Sequence, residues 1–426
     1  MINNKIDFIF NLIKDFYDNV ILNNSKEKNN EWTIHSAIIL KNNNDYKIIC
    51  FTNGTKCLPN FNYYNKKFQI FDCHAEILCL KCFQFFLIKC LIFNIDKKNE
   101  KKILTDEEFN EFKKNENFYS IFKIDKNLKN KFSLKNNIEF LLYISGSPCG
   151  DASKIINNNK KIGSKTLQQL IEYYNNYLKN KNIKFIEKNS NSYEFRTKSI
   201  RSDFKPEILS FSLSCTDKLL IKNILGYEGK YLNLIINSIY INNIIISETE
   251  NNKYQISNSL NYLIRNNNSL IKNNYKPNII IIDKFLSNNI NINKTDKNSQ
   301  PFSFFWYFPS TLQKIDPSLG LKSGSRKDRM DIIENFRVTL CNYNLCELIF
   351  KFIINFENIL CKRISKILLI NESLDYFDIL NILIKTTKRF KIKEIFIKEN
   401  EKIKEFLELK YKIINKNISN LKNETK

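Results

Sequence analysis

The sequence predicts an α/β fold, and three observations carry that expectation. Strand-like runs (His35 to Leu40, Tyr46 to Phe51, Ile138 to Ser145, Ile208 to Leu213) alternate with helix-like ones (residues 5 to 22, Ile77 to Phe93, Leu167 to Leu178). With 43% hydrophobic and 13% aromatic residues, the 426-residue chain can bury a substantial core. Two of the strands each run into a cysteine, Cys149 and Cys215, at a strand-to-helix corner, where α/β sheets gather their chemistry.

Taken in order, Ile6, Phe8, Ile9, Phe10, Leu12, Ile13, Phe16, Val20 and Ile21 place one apolar stripe on a first helix. Asn42 to Asp45 reads as a turn between the first two strands, and Gly54-Thr55-Lys56-Cys57 as a loop. Ile77 to Phe93 is apolar on several sides, which predicts a buried helix. Residues 95 to 135 and 250 to 299 are charged or Asn-rich and read as surface insertions. Phe302 to Phe308 is aromatic, and residues 331 to 412 read as Lys-bearing helices, a mainly helical C-terminal part over about 300 to 412. Neither an internal repeat nor a linker divides the chain, so a single domain over 1 to 426 is expected, its motif-bearing core at about 31 to 230.

The formal charge is +23, an electrostatic footprint that fits a nucleic-acid partner. Its size is inflated by Lys-rich, Arg-poor usage: there are eight arginines, the first at Arg196. Eleven scattered cysteines do not form a disulfide scaffold, no signal-peptide pattern opens the chain, and no apolar run reaches the roughly 18 to 20 residues of a membrane span. These features predict a reduced, intracellular protein of cytoplasm or nucleus, with no membrane partner.

His74 and Glu76 stand two apart at the start of the apolar helix, so both can face one cavity. An imidazole there can ligate a metal while the carboxylate moves protons, as in zinc deaminases. Cys149 and Cys215 sit among small polar residues at helix starts, which favour the thiolate a metal needs. His74, Cys149 and Cys215 make three protein ligands and leave the fourth position open, the mark of a catalytic zinc. Most other cysteines read as small buried hydrophobes, Cys57 as a loop residue without a second ligand nearby, and His35 as a packed strand histidine.

Asp72-Cys73-His74-Ala75-Glu76, Ser147-Pro148-Cys149-Gly150-Asp151 and Ser214-Cys215-Thr216-Asp217-Lys218, with Gly54-Thr55-Lys56-Cys57 and Arg196-Thr197-Lys198, resemble the motifs of the adenosine deaminases acting on RNA. Asn30-Glu31-Trp32-Thr33 is similar to the tRNA-specific branch, which modifies the adenosine 3′ of the anticodon. The resemblance implies a cytidine-deaminase-like core, a mixed sheet with helices carrying the zinc ligands. It also implies one zinc, a tRNA substrate, and hydrolytic conversion of adenosine to inosine. Within it Glu76 would be the proton shuttle, and Thr55 and Lys56 would touch the flipped nucleotide and its phosphate. Asp72 and Lys198 match a buried polar relay behind the metal, or equally a plain ion pair. An RNA-binding pseudo-enzyme and a deaminase of another RNA stand as the alternatives.

Relatives in this group also bury inositol hexakisphosphate. Lys218 and Ser212 match two positions of its cage. Other positions depart: Leu80 and Lys81 follow Cys79 where Arg is usual, Ile221-Lys222 replaces Arg-Trp, Glu228 replaces Gln, and Lys230 replaces Ser. The C-terminal Tyr and Lys ligands find no fixed match among Tyr376, Lys385, Lys388 and Lys391.

Overall fold

Strand β1 (His35–Asn42) and strand β2 (Asp45–Asn53) pair antiparallel across a tight turn at Asn43, whose φ of 56° is left-handed. Their alternate side chains face opposite ways, as a strand's period of two requires. Ile38, Leu40, Ile49 and Cys50 join one core; Ala37, Ile39, Ile48 and Phe51 join another on the far face. A register shift between Ile38 and Ile39 keeps both sets apolar. The sheet is therefore buried on both sides.

The computed structural model describes residues 2–23, 31–58, 65–98, 102–125, 131–153, 165–178, 195–198, 212–266, 275–286, 298–325, 333–356, 364, 366–367, 374–385, 387, 391, 394, 405 and 408. Helix α1 (Ile2–Phe16), prolonged by a π-helical turn Tyr17–Leu22, lays Ile9, Phe10, Ile13, Tyr17 and Ile21 on the far face. Helix α2 (Ala75–Asp96) fills the near face and is apolar almost all round, so it is enclosed. Its Lys89 is also buried, neutralised by Glu108 and lying 4.9 Å from the centroid of the Tyr307 ring.

Strand β3 (Ile138–Ile144) pairs antiparallel with β1. Helix α3 (Cys215–Leu225) and the short helix α4 (Gly229–Leu232) lead to strand β4 (Asn243–Ser247), which runs parallel to β3. Helix α5 (Lys253–Asn266) then returns the chain to strand β5 (Asn278–Ile282), parallel to β4. On the other side, β2 is extended antiparallel by β6 (Ser303–Tyr307), β7 (Gln313–Asp316) and β8 (Leu321–Lys322). The order β5-β4-β3-β1-β2-β6-β7-β8 makes one mixed eight-stranded sheet. Helices α6 (Asn342–Asn355) and α7 (Tyr376–Ile384) pack beyond α2 and α4. This is the mixed α/β core the sequence led us to expect.

Two expectations are corrected, and one is refined. Residues 95–135 are not a surface insertion throughout: Phe109, Phe112, Phe118, Tyr119, Phe122 and Phe132 are buried in the main core, and their charged neighbours face out. The Asn-rich stretch at 250–299 supplies α5 and the edge strand β5, because Ile256, Leu260, Ile281 and Ile282 find apolar partners. The part beginning at 300 contributes three strands before its helices. The expected strand Ile208 to Leu213 lies largely outside the described residues; Leu213 forms an isolated bridge with Thr197. Among the described residues, no helix is long and apolar enough to cross a membrane.

Phe83 on α2 is fully buried and meets Phe140 of β3 edge to face at 4.7 Å. Phe83→Ala is expected to destabilise the fold by about 3–5 kcal/mol, measured as a lower denaturant midpoint.

Candidate metal and catalytic site

The site forms where α2 begins. His74 is the residue that starts the helix, in extended conformation (ψ 137°), and Glu76 follows within the first turn. The loop after β2 is laced to this start: Ala75 N donates to Gly54 O at 2.9 Å and Cys73 N to Lys56 O at 3.1 Å. Gly54, at φ 145°, permits the approach, since an added Cβ would lie 2.1 Å from the Cys73 carbonyl oxygen. Thr55 and Lys56 are thereby held beside His74 and Glu76.

Cys149 arrives from the end of β3 and Cys215 from the first turn of α3. Ser214 caps α3: its Oγ accepts from Asp217 N at 3.2 Å and donates to the Asp217 carboxylate at 2.7 Å. The two cysteine loops are joined by Thr216, whose hydroxyl lies 3.2 Å from Pro148 O and 3.0 Å from Cys149 O and accepts from Ala152 N at 3.3 Å. Gly150, at φ 112°, leaves room for Ser214.

The two sulfurs converge on one imidazole nitrogen. Cys149 Sγ lies 3.7 Å and Cys215 Sγ 3.5 Å from His74 Nδ1, and the three donor atoms all lie within 4.8 Å of one another. Tetrahedral zinc with Zn–N near 2.0 Å and Zn–S near 2.3 Å sets its ligand atoms about 3.6 Å apart, so the residues present fit that ion. The Cys149 thiol is held well below the ordinary thiol range, chiefly by the hydrogen bond from Cys215 and, against burial, by His74 and Lys198. Cys215 N also approaches Cys149 Sγ at 3.4 Å. Burial pushes the Cys215 thiol up, so the first thiolate forms at Cys149.

Glu76 is 2% exposed, and its Oε2 has no hydrogen-bond partner in the structure. The Thr55 hydroxyl is likewise buried and unpartnered. Buried polar atoms are rarely left so unless something outside the chain completes them. Lys56 is half-buried, and burial lowers its pKa against the pull of Asp316 and Glu31.

Asp72 binds the opposite side of this cluster. Its carboxylate accepts from Lys198 Nζ at 2.7 Å on both oxygens, from Lys218 Nζ, from Ser212 Oγ at 3.1 Å, from His74 N at 3.1 Å and from Cys57 Sγ at 3.2 Å. Burial raises the Asp72 pKa, but Lys198, Lys218 and His74 outweigh it and hold the carboxyl well below its usual range. Cys57 therefore does not stand apart, as its loop position suggested. Cys57, Asp72 and His74 form a second potential donor group, but the lysines already neutralise Asp72 and burial keeps Cys57 a thiol. Lys218 and Ser212, matched by resemblance to an inositol-phosphate cage, are both turned to Asp72 instead.

Thr216, Ser214 and Cys57 stand in the sequence motifs, but sequence reasoning gives them no role in the site. The Ser214-x-x-Asp217 spacing is a readable cap signal, whereas the Thr216 bridge depends on the meeting of two distant loops. Thr216→Val removes that bridge without changing volume much. It is expected to weaken zinc retention by about 10–100-fold, checked by chelator competition.

Set against known proteins, residues 50–366 match the model of the adenosine-deaminase (editase) domain. The chain is 29% identical over 220 residues to tRNA-specific adenosine deaminase 1 of Schizosaccharomyces pombe, covering 51% of this chain and 49% of that protein. The identity is also 29% over 216 residues to tRNA-specific adenosine deaminase 1 of Saccharomyces cerevisiae, covering 46% and 48%. Double-stranded RNA-specific editase B2 of Rattus norvegicus is 29% identical over 203 residues, covering 47% and 24%. The chain thus spans about half or less of these relatives' lengths. With three-quarters of its residues inside the matched stretch, the chain belongs to the adenosine-deaminase (editase) domain family.

Proposed function

We propose that this chain converts adenosine to inosine in tRNA by zinc-dependent hydrolysis, next to the anticodon. The observation that carries the reading is the pairing of His74, Cys149 and Cys215 on one ligand triangle with an unpartnered Glu76 oxygen beside it. The tRNA part leans on the similarity to two tRNA-specific deaminases and on the Glu31-Trp32 pair, whose Glu31 carboxylate acts on Lys56. In this reading residues 1–426 work as one deaminase domain.

Zinc held by His74, Cys149 and Cys215 would supply Lewis acidity, lowering the pKa of water towards neutrality. Glu76 is the base: its free Oε2 takes one proton from the attacking water and gives it to N1 of the purine, then takes the second from the new C6 hydroxyl and gives it to the departing amino group, which leaves as ammonia. Burial keeps competing water from Glu76 and strengthens each charge it meets. Thr55 and Lys56 stand on the loop whose backbone is bonded to the start of α2, where they would orient a nucleotide and its phosphate. Asp72, fixed by Lys198 and Lys218, accepts from His74 N and so holds the ligand's backbone in place. The charge of +23 draws polyanionic RNA to the surface. A second reading, deamination of another RNA, is favoured by the equal 29% identity to a double-stranded RNA-specific editase.

Glu76→Ala is expected to keep one zinc per chain and lose deamination by at least about a hundredfold. The assay quantifies inosine after digestion of tRNA transcripts or duplex RNA incubated with each protein, with metal content measured in parallel. Zinc loss in the variant would remove Glu76 from the role of non-ligand. Inosine only in duplex RNA would transfer the substrate to the second reading. RNA affinity is expected to fall steeply with salt; a flat titration between 50 and 200 mM, roughly the span over which several phosphate contacts are lost, would rule out an electrostatic grip.

A further inference from the structure

The polyanion implied by the family resemblance, inositol hexakisphosphate, does not fit the residues this chain presents between α2 and α4 on one side and α6 and α7 on the other. Six phosphoryl groups at about −1.5 to −2 each need many cations before they can be buried. Here the cations already have protein acceptors. Lys81 Nζ of α2 donates to Asn342 Oδ1 at 2.6 Å and Leu340 O at 3.3 Å, at the start of α6. Lys230 Nζ and Tyr231 Oη of α4 both donate to Asn381 Oδ1 of α7, at 3.0 and 3.2 Å. Lys67 is held by Asp375 and Asp378 at the head of α7.

The remaining candidates point the same way. Lys218 and Ser212 are turned to Asp72. Glu228, standing where relatives carry Gln, is a fully buried carboxylate that accepts from Asn233 Nδ2 at 2.9 Å and Ile239 N at 3.0 Å. Lys385 and Lys391 are exposed, and Lys388 lies outside the described residues.

We infer that this chain closes the seam with its own amide oxygens, Asn342 and Asn381 taking hydrogen bonds that a buried polyphosphate would otherwise receive, and that it folds without one. A neutral acceptor suits Lys81, whose pKa burial lowers, since among the described residues no carboxylate acts on it to offset desolvation.

The test is independent of the RNA reading, because it measures neither RNA nor inosine. The full chain, made in yeast cells that synthesise inositol hexakisphosphate, is purified with its zinc and denatured, and released inositol phosphates are quantified by mass spectrometry. The expected result is a yield far below one per chain; one molecule per chain overturns the inference. In the second arm, Asn381→Leu takes the acceptor from the buried Tyr231 hydroxyl, the exposed Lys230 turning to water, and its thermal midpoint is expected to fall by roughly 1–3 °C. An unchanged midpoint overturns the assignment of Asn381 as the seam's acceptor.

Discussion

The site depends on one buried carboxylate. Asp72 gathers donors from five residues, Cys57, His74, Lys198, Ser212 and Lys218. Its charge is tolerable in the interior because two ammonium groups face it, and removing one partner of such a pair costs about 3–5 kcal/mol. What the carboxylate gains in return is convergence. The loop carrying Thr55 and Lys56, the start of α2 and the segment leading into α3 are all tied to one point behind His74.

The sheet supplies the frame for that convergence. Its near face receives α2, and β3 ends where Cys149 must stand, so strand length and helix start together set the distance between histidine and cysteine. Thr216 then fixes the second cysteine against the first through backbone carbonyls. Each ligand is thus held by main-chain geometry as well as by its own rotamer, which keeps a metal site's donors close to their working positions.

Much of this was legible in the sequence. Short, nearly continuous apolar runs at His35 to Leu40 and Ile138 to Ser145 predict buried strands, and the mostly apolar run from Ile77 to Phe93 predicts an enclosed helix. The ligand triangle was readable because histidines number two and because Cys149 and Cys215 each follow a strand-like run to a helix start among small polar residues. Composition misled where Asn and Lys dilute the pattern: Ile256 and Leu260 lie one helical turn apart inside an Asn-rich stretch, and Phe109 and Phe112 inside a charged one. The destinations of long polar side chains were not legible. Nothing local distinguishes a Lys218 that reaches a ligand from one that folds back onto Asp72; the outcome rests on residues 146 positions away in sequence.

The two-faced sheet has a consequence for where this protein can be cut. The stretch that matches the family model starts at residue 50, inside β2, whereas β1, flanked by β2 and β3, and α1, which covers the far face, precede it. A fragment trimmed to the matched stretch would lose an internal strand and bare Phe51, Leu141, Tyr143 and Ile245, leaving unpaired strand edges beside an apolar strip. Boundaries of shared ancestry and boundaries of independent folding therefore fall at different places in this chain.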